Sequence, residues 1–223
     1  VFNAYFDEFN KKPEDYMDLI RLDPSYRVFF DENDHVDISS DLEKNLDLFE
    51  EMETGAKEKM KKYLEKSKYE YNIAMKDFIY KDYKHLTDFF KPRLIVEGTK
   101  LHMFEKLDSY AQRYFKSEKI RQILEYTIVF LGGSPYDSPA LYSLMSHVDF
   151  NMGVWFPKGG MGKLAEAMQT VAEEQGVEFK FNQPVNEIIV DNGKATAVKT
   201  EKDEYTAAQV VVNADYAWDE THF

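Results

Sequence analysis

The stretch GVWFPKGGMGKLAEAM, residues 153 to 168, decides the fold of the second half of the chain. An apolar run typical of a β-strand ends at Pro157, and Gly159 and Gly160 follow before a helical pattern begins. Glycine adopts backbone angles that other residues avoid, so the pattern predicts a strand that turns sharply into a helix. The same arrangement could instead cradle a phosphate group at the foot of the helix.

The spacing of the glycines does not favour a nucleotide phosphate site. A loop of the G-x-x-x-x-G-K-[ST] type needs a hydroxyl side chain after the lysine, and here Leu164 follows Gly162-Lys163. GGMGKL does not supply the spacing of the G-x-G-x-x-G dinucleotide fingerprint either. The glycines therefore predict a tight turn between strand and helix.

The chain divides into two regions of different character on either side of this stretch. Residues 1–150 are mainly helical in pattern, with a β-hairpin predicted over RVFFDENDHVDIS (27–39). Helix dominates from Leu42 to about Tyr80, where an apolar stripe recurs at helical spacing. The stripe consists of Met60, Leu64, Tyr71, Met75 and Phe78.

Residues 151–223 mix β-prone segments with one helix. The predicted strands are VEFKF (177–181), VNEIIV (185–190), ATAVKT (195–200) and QVVVNA (209–214). Asp191-Asn192-Gly193 predicts a tight hairpin turn, because Asn-Gly supplies the positive φ values that such a turn needs. The fold class predicted for the whole chain is α+β.

Composition excludes several classes of function. The 223 residues are 43% hydrophobic, enough for a sizeable core, and the net charge of −13 argues against a nucleic-acid-binding protein. The absence of cysteine excludes disulfides, zinc-thiolate sites and cysteine nucleophiles, and it fits a reducing cytoplasm. The sequence contains no run of about 18 apolar residues, so no membrane-spanning helix is predicted. The histidines show no metal-ligand spacing, so no metal site is predicted.

Longer stretches of the chain resemble one family. GVWFPKGGMGKLAEAMQTVAEEQGVEFKFNQPVNEIIV (153–190), followed by AAQVVVNAD (207–215), resembles the central part of bacterial phytoene desaturases, which are carotenoid desaturases of the flavin amine oxidase superfamily. EKIRQILEYTIVFLGGSPYDSPALYSLM (118–145) and LDPSYRVFF (22–30) are similar to the same family, in the expected order. The resemblance covers nearly the whole chain.

The resemblance implies a division into domains. Residues 1–150 would form a helical substrate-binding domain with a short β-hairpin. Residues 151–223 would form the strand, Gly-Gly turn, helix and β-meander of a Rossmann-like FAD-binding domain. The dinucleotide fingerprint that the family keeps near its N-terminus is not in this sequence, nor is the family's C-terminal segment. We therefore expect an internal segment that does not retain FAD by itself.

The same resemblance assigns candidate site residues. Trp155, Phe156 and Met161 are expected to line the substrate, although packing is an equal alternative for the last two. The expected contacts to FAD are Gly159 and Gly160 beside the flavin, Val185 at the adenine end, and Asn213, Ala214 and Asp215 after a strand end. Arg93 is the candidate catalytic residue, but its surroundings, DFFKPR, depart from the acid-and-arginine pattern of the relatives.

The implied reaction is the FAD-dependent removal of two hydrogens from a long isoprenoid such as phytoene. Alternatives are a related flavoprotein acting on another apolar polyene (a diapocarotenoid desaturase, a carotenoid ketolase or a retinol saturase), or an inert lipid-binding or dimerising module. We expect a cytoplasmic protein that contacts membranes peripherally and that could form a homo-oligomer. The lysines proposed for membrane contact, which could equally form a solvated helix face, are Lys57, Lys59, Lys61 and Lys62.

Overall fold

The computed structural model describes residues 2–80, 84 and 85, and 101–222, and it confirms the α+β fold class. The helices are α1 Phe2–Glu8, α2 Leu42–Met52, α3 Ala56–Ile73, α4 Leu107–Tyr114, α5 Glu118–Glu125, α6 Leu144–His147, α7 Gly162–Glu174 and α8 Tyr216–His222. The strands are β1 Leu19–Arg21, β2 Tyr26–Asp31, β3 Asp34–Ile38, β4 Trp155–Pro157, β5 Val185–Asp191, β6 Lys194–Thr200 and β7 Glu204–Thr206. Short 3-10 turns cover Pro13–Asp15, Tyr126–Leu131 and Ala140–Ser143, and π-helical turns cover Ala74–Ile79 and Val148–Met152. Among the described helices, none has the length and apolar character needed to cross a bilayer.

The contacts group the chain into two compact units. One is Lys11–Leu164, and the other combines Val1–Asn10 with Ala165–Phe223. The predicted division at residue 150 into a substrate domain and an FAD-binding domain stays a prediction.

In the unit Lys11–Leu164, the predicted hairpin is confirmed. β2 and β3 pair antiparallel, with Tyr26 opposite Ile38. One face of this hairpin packs on a core in which Phe49 and Tyr63 are fully buried. The other buried members of this core are Ile38, Leu46, Ala56, Met60, Leu64, Tyr110, Phe115, Ile120, Ile123, Leu124, Ala140 and Phe150.

The helical region after Leu42 is interrupted near Gly55. Gly55 has a φ of 83°, in the left-handed region that glycine adopts without strain, and it separates α2 from α3. The carboxylate of Glu50 fixes this break, because it accepts hydrogen bonds from the backbone N–H groups of Gly55 at 2.7 Å and Lys57 at 2.9 Å. The predicted apolar stripe is confirmed at Met60 and Leu64, which are buried, while the side chain of Phe78 lies outside the described residues.

In the other unit, β5, β6 and β7 form an antiparallel meander. The predicted hairpin turn is confirmed, since Asn192 and Gly193 have φ values of 50° and 76°. The predictions of strands at VEFKF and QVVVNA are wrong. Both segments are β-prone, but neither has a hydrogen-bonded strand partner among the described residues, and a strand requires one.

Two glutamates are buried beside the core of the unit Lys11–Leu164. Ser143 Oγ donates to Glu70 Oε2 at 2.5 Å, while Lys66 Nζ lies 3.8 Å from Oε1. Burial raises the pKa of the Glu70 carboxyl to about 7. Burial, reinforced by the charge of Asp108, also raises the pKa of Glu125 to about 7. Each glutamate therefore takes up a proton on folding at mildly acidic pH.

Because the pKa values of both glutamates are raised, we expect the stability of the fold to decrease as the pH rises. Their stabilising contribution is fully present below the ordinary pKa of 4.5 and is lost as the pH rises through about 7. The free energy of unfolding, measured by urea denaturation at pH 5 and pH 8, should fall by on the order of 3 kcal/mol per glutamate. Glu70→Gln should remove its share of the decrease, whereas Glu51→Gln, at an exposed site, should not. If the free energy of unfolding of Glu70→Gln decreased between pH 5 and pH 8 by as much as that of the wild type, this prediction would be contradicted.

Candidate functional site

The predicted strand and glycine turn are present. β4 pairs antiparallel with β1, so that Trp155 lies opposite Arg21. Gly159 and Gly160 follow with φ values of 93° and 101°, which only glycine adopts at low cost, and α7 begins at Gly162. The glycines thus let the chain reverse directly after the strand.

A looser dinucleotide pattern, G-x-G-x-x-A, which was not among the patterns predicted above, does occur at Gly160, Gly162 and Ala165. In dinucleotide-binding proteins this pattern joins a strand of a parallel βαβ unit to its helix. Here the preceding strand β4 is three residues long and pairs antiparallel with β1. The side chain of Lys163 also lies over Gly159, where a Cβ would approach its Cγ to 3.3 Å. The context therefore favours a turn over a phosphate cradle.

A cavity of about 790 Å³ opens beside Trp155 in the unit Lys11–Leu164. Trp155 is 52% exposed, and its indole Nε1 donates to the carbonyl oxygen of Met152 at 2.9 Å, which fixes the ring. The apolar lining residues besides Trp155 are Val28, Phe29, Phe130, Met145, Val148 and Val154. A concave and mainly apolar cavity of this size suits an apolar ligand.

A carboxylate held by two tyrosines lies in the wall of this cavity. Tyr26 Oη donates to Asp149 Oδ2 at 2.5 Å, and Tyr126 Oη lies 3.5 Å from the same oxygen. The tyrosine rings are 5.0 Å apart between centroids. Burial raises the pKa of Asp149, while the hydrogen bonds from the two tyrosines oppose that rise.

Both tyrosines keep their protons in this arrangement. Burial, together with the nearby charge of Asp149, raises the pKa of Tyr26 well above its ordinary value and that of Tyr126 to about 12. Sequence patterns do not reveal this group of three. Tyr26 and Asp149 are separated by more than half of the chain and belong to no local motif, so no spacing signal could have found the pair.

The turn before β4 places a cation next to Trp155. Gly153 has a φ of 79°, and a Cβ at this position would lie 2.5 Å from Arg21 Nε and 2.9 Å from Arg21 Nη2. The guanidinium group therefore rests against the backbone of Gly153, which itself lines the cavity. Sequence patterns do not reveal this contact, because it depends on the pairing of β1 with β4.

The structure places the other predicted substrate-lining residues differently. Phe156 is 40% exposed and Met161 is 57% exposed, and neither lines the cavity beside Trp155. Their assignment to the substrate stays a prediction. Arg93, the predicted catalytic residue, lies outside the described residues.

Three predicted cofactor residues share a second pocket, within the unit that contains β5–β7. Val185, Asn213 and Ala214 line this pocket of about 410 Å³. Its remaining lining residues are Pro184, Ile188, Val198, Val210, Val211, Val212 and Trp218. Asp215, the fourth residue of the predicted set in this unit, accepts a hydrogen bond from the backbone N–H of Trp218 at 2.9 Å and thereby caps α8.

The lysines predicted to contact membranes are mostly engaged with acids. Lys57 Nζ lies 2.6 Å from an oxygen of Asp47, Lys59 Nζ lies 2.5 Å from one of Glu53, and Lys61 forms an ion pair with Glu58. These pairs offset the positive charge that would attract an anionic membrane surface. A membrane role for this helix face stays a prediction.

Comparisons with known proteins identify relatives along almost the whole chain. Residues 5–217 match the family model described as flavin containing amine oxidoreductase. A carotenoid 3,4-desaturase from Haloarcula japonica is 40% identical over 97% of this chain and 44% of its own length.

Two further relatives have similar coverage. The zeta-carotene-forming phytoene desaturase of Myxococcus xanthus is 31% identical over 98% of the chain and 43% of its own length. A 4,4'-diapophytoene desaturase of Staphylococcus haemolyticus is 28% identical over 98% of the chain and 44% of its own length. The chain spans less than half the length of these relatives.

We predict that Gly153→Ala destabilises the fold by about 2 kcal/mol or more, because the new side chain meets Arg21 and the residue must keep a positive φ. In the double variant Gly153→Ala/Arg21→Ala the clash with the arginine side chain is gone, so only the steric part of the lost stability should be recovered. The cost of the positive φ should remain. Gly162→Ala is the matched control, since it has no close neighbour and no positive φ, and it should be neutral or slightly stabilising. Thermal unfolding of the three variants measures this. Equal melting temperatures for Gly153→Ala and Gly162→Ala would refute it.

Proposed function

Because the chain belongs to the family of flavin-containing amine oxidoreductases, and its relatives include carotenoid desaturases, we propose that it is part of an FAD-dependent desaturase. The proposed reaction removes two hydrogens from neighbouring carbons of a long apolar polyene such as phytoene. The observation that carries this proposal is the apolar cavity beside Trp155. A polyene hydrocarbon has almost no polar handles, so its binding site must be mainly apolar.

The second pocket is the proposed binding site for part of the cofactor. Its valine-rich walls suit one face of a flat heteroaromatic ring, and Asn213 supplies a polar side chain at that position. We propose that Val185, Asn213 and Ala214 contact the adenine end of FAD, with Asp215 holding the adjoining helix start. Among the described residues, no glycine turn of a parallel βαβ unit is present to hold the pyrophosphate. When bound, the flavin supplies the redox chemistry of the reaction.

The aromatic side chains of the cavity would position the substrate and exclude water. Trp155 is fixed by its hydrogen bond to Met152, so its ring presents a constant apolar surface. Gly159 and Gly160 would allow a close approach of the backbone to a bound ring. Phe156 and Met161 are proposed as further contacts on the exposed side of β4 and its turn.

Peripheral contact with a membrane is proposed because the substrate is insoluble in water. Vesicle flotation of the whole protein at low salt, with anionic lipid, tests this contact. Protein that stays at the bottom of the gradient would argue against it.

Product analysis tests the proposed reaction. The whole protein, expressed in a bacterial host that accumulates phytoene, should convert phytoene into a more unsaturated polyene with longer-wavelength absorbance. Parallel hosts that accumulate diapophytoene or an already desaturated carotenoid distinguish the related polyene substrates. No conversion of any polyene by a folded, flavin-loaded protein would contradict the proposal and favour the binding-module alternative.

We expect Trp155→Ala in the whole protein to lower kcat/KM by about tenfold or more, because an ordered aromatic contact contributes about 1.5 kcal/mol. The melting temperature should stay near wild type, since half of the side chain is exposed. A buried structural tryptophan would instead cost about 3–5 kcal/mol of stability. Phe104→Ala, at a side chain that is 95% exposed, is the control and should change neither quantity. A large loss of stability with normal specific activity would contradict this role for Trp155.

A further inference from the structure

Asp149 is the only carboxylate among the described residues that line the cavity beside Trp155. A carboxylate in mainly apolar surroundings is costly, because its charge loses hydration that an apolar wall cannot replace. The cavity is proposed to hold a hydrocarbon, which offers the carboxylate no hydrogen-bond donor. A charge at this place therefore calls for an explanation beyond packing.

The two carboxylate oxygens of Asp149 differ in their hydrogen bonds. The two tyrosine hydroxyls converge on Oδ2, and no described residue donates a hydrogen bond to Oδ1. Tyr26 belongs to β2 and Tyr126 to the turn Tyr126–Leu131, so the carboxylate is fixed from two sides.

The neighbouring charged groups do not neutralise Asp149. Arg27 lines the same cavity, but its guanidinium forms a two-point contact with Asp37 at 2.6 and 2.8 Å. His147, on the preceding helix, shares a hydrogen bond of 2.8 Å between its Nδ1 and the amide of Asn151. Among the described residues, the titratable side chains in hydrogen-bond contact with Asp149 are Tyr26 and Tyr126, and both keep their protons.

We propose that Asp149 is a catalytic residue of the desaturation, accepting on Oδ1 the proton that the substrate loses. This inference rests on the proposed function. A bound flavin would supply the two-electron oxidant, and one C–H bond of the substrate would yield its hydrogen and its electron pair to it as a hydride. The C–H bond on the neighbouring carbon gives its electron pair to the new C=C bond, and its proton passes to Asp149. Two hydrogens and two electrons are thus accounted for.

The carboxylate contributes in two ways to this step. As hydride departs, positive charge develops on the substrate carbon, and a fixed negative charge in an apolar cavity stabilises it strongly. The same group then removes the neighbouring proton as a general base, a role that suits a carboxyl whose pKa is raised towards the working pH. Tyr26 acts as a positioning residue, because its hydrogen bond holds Oδ2 and favours the ionised form of Asp149.

Variants of the whole, flavin-loaded protein test the role of Asp149. Asp149→Asn keeps an acceptor for both tyrosines but cannot take a proton, so kcat should fall by about 100-fold or more with little change in KM. Asp149→Glu should restore part of the activity. The melting temperature and flavin absorbance should stay close to wild type. Wild-type turnover in Asp149→Asn, with a wild type that is active, would overturn this inference and leave the proposed function standing.

The pH profile gives a test that a structural role would not affect. In the wild type, kcat should fall on the acidic side with a midpoint above the ordinary pKa of an aspartate. Tyr26→Phe removes a hydrogen bond that favours the ionised carboxylate, so this midpoint should move to higher pH. Carboxyl carbon NMR of aspartate-labelled protein, with Asp149→Asn identifying the signal, should show the same midpoint and the same shift.

The comparison of wild type with Tyr26→Phe remains decisive if Asp149→Asn does not fold. An acidic midpoint of kcat that stays unchanged in Tyr26→Phe would overturn the proposal, and so would a wild-type profile without an acidic limb. A wild type that converts no polyene would overturn both this inference and the proposed function. An acidic midpoint that moves to higher pH in Tyr26→Phe, in both the kcat profile and the carboxyl NMR signal, would support it.

Discussion

Three glycines with positive φ hold the backbone around strand β4, and the geometry of the candidate site depends on them. Gly153 lies before the strand with a φ of 79°, and Gly159 and Gly160 lie after it with values of 93° and 101°. Between these two points the chain has only enough residues for one short strand, whose pairing with β1 fixes Trp155 beside Arg21. A side chain at Gly153 would displace the guanidinium. The position of Trp155 in the cavity wall is therefore set by the conformation of the backbone.

Burial raises the pKa of the carboxyl groups of Glu70, Glu125 and Asp149, but the consequences differ with their surroundings. Glu70 and Glu125 are enclosed by the interior of the unit, and the cost of their charge is reduced when they take up a proton. Asp149 faces a cavity instead, and two tyrosine hydroxyls favour its ionised form. The first two carboxyls therefore act on stability, whereas the third is able to exchange a proton with a bound molecule.

Local patterns predicted much of the fold. The hairpins at residues 27–39 and around Asn192-Gly193 were predictable because turn residues and alternating β-prone residues lie within one short window. VEFKF and QVVVNA have the same local composition, but a strand also needs a partner, which a local window does not contain. β-propensity describes how well a residue fits a paired strand, and it does not supply the pairing.

The candidate site was predictable to a smaller extent. Resemblance to a family singled out Val185, Asn213 and Ala214, and these three do line one pocket. It also singled out Trp155, which lines the larger cavity, together with Phe156 and Met161, which do not line it. Asp149 and its tyrosines could not be predicted from spacing, since the contact joins β2 to a helical turn far along the chain. Long-range polar contacts of this kind follow from the fold.

An apolar lining alone does not explain how a desaturase selects one bond of a long polyene. Hydrophobic attraction is non-directional, so a hydrocarbon chain gains similar free energy at many positions along an apolar cavity. A fixed charge acts differently, because the bound hydrocarbon carries no charge until the reaction begins. The proposed carboxylate of Asp149 would therefore stabilise the transition state while contributing little to ground-state binding, which is the condition for an increase in kcat. Its place in the cavity wall would then determine which carbon loses its proton, while residues such as Trp155 keep the chain extended in front of it.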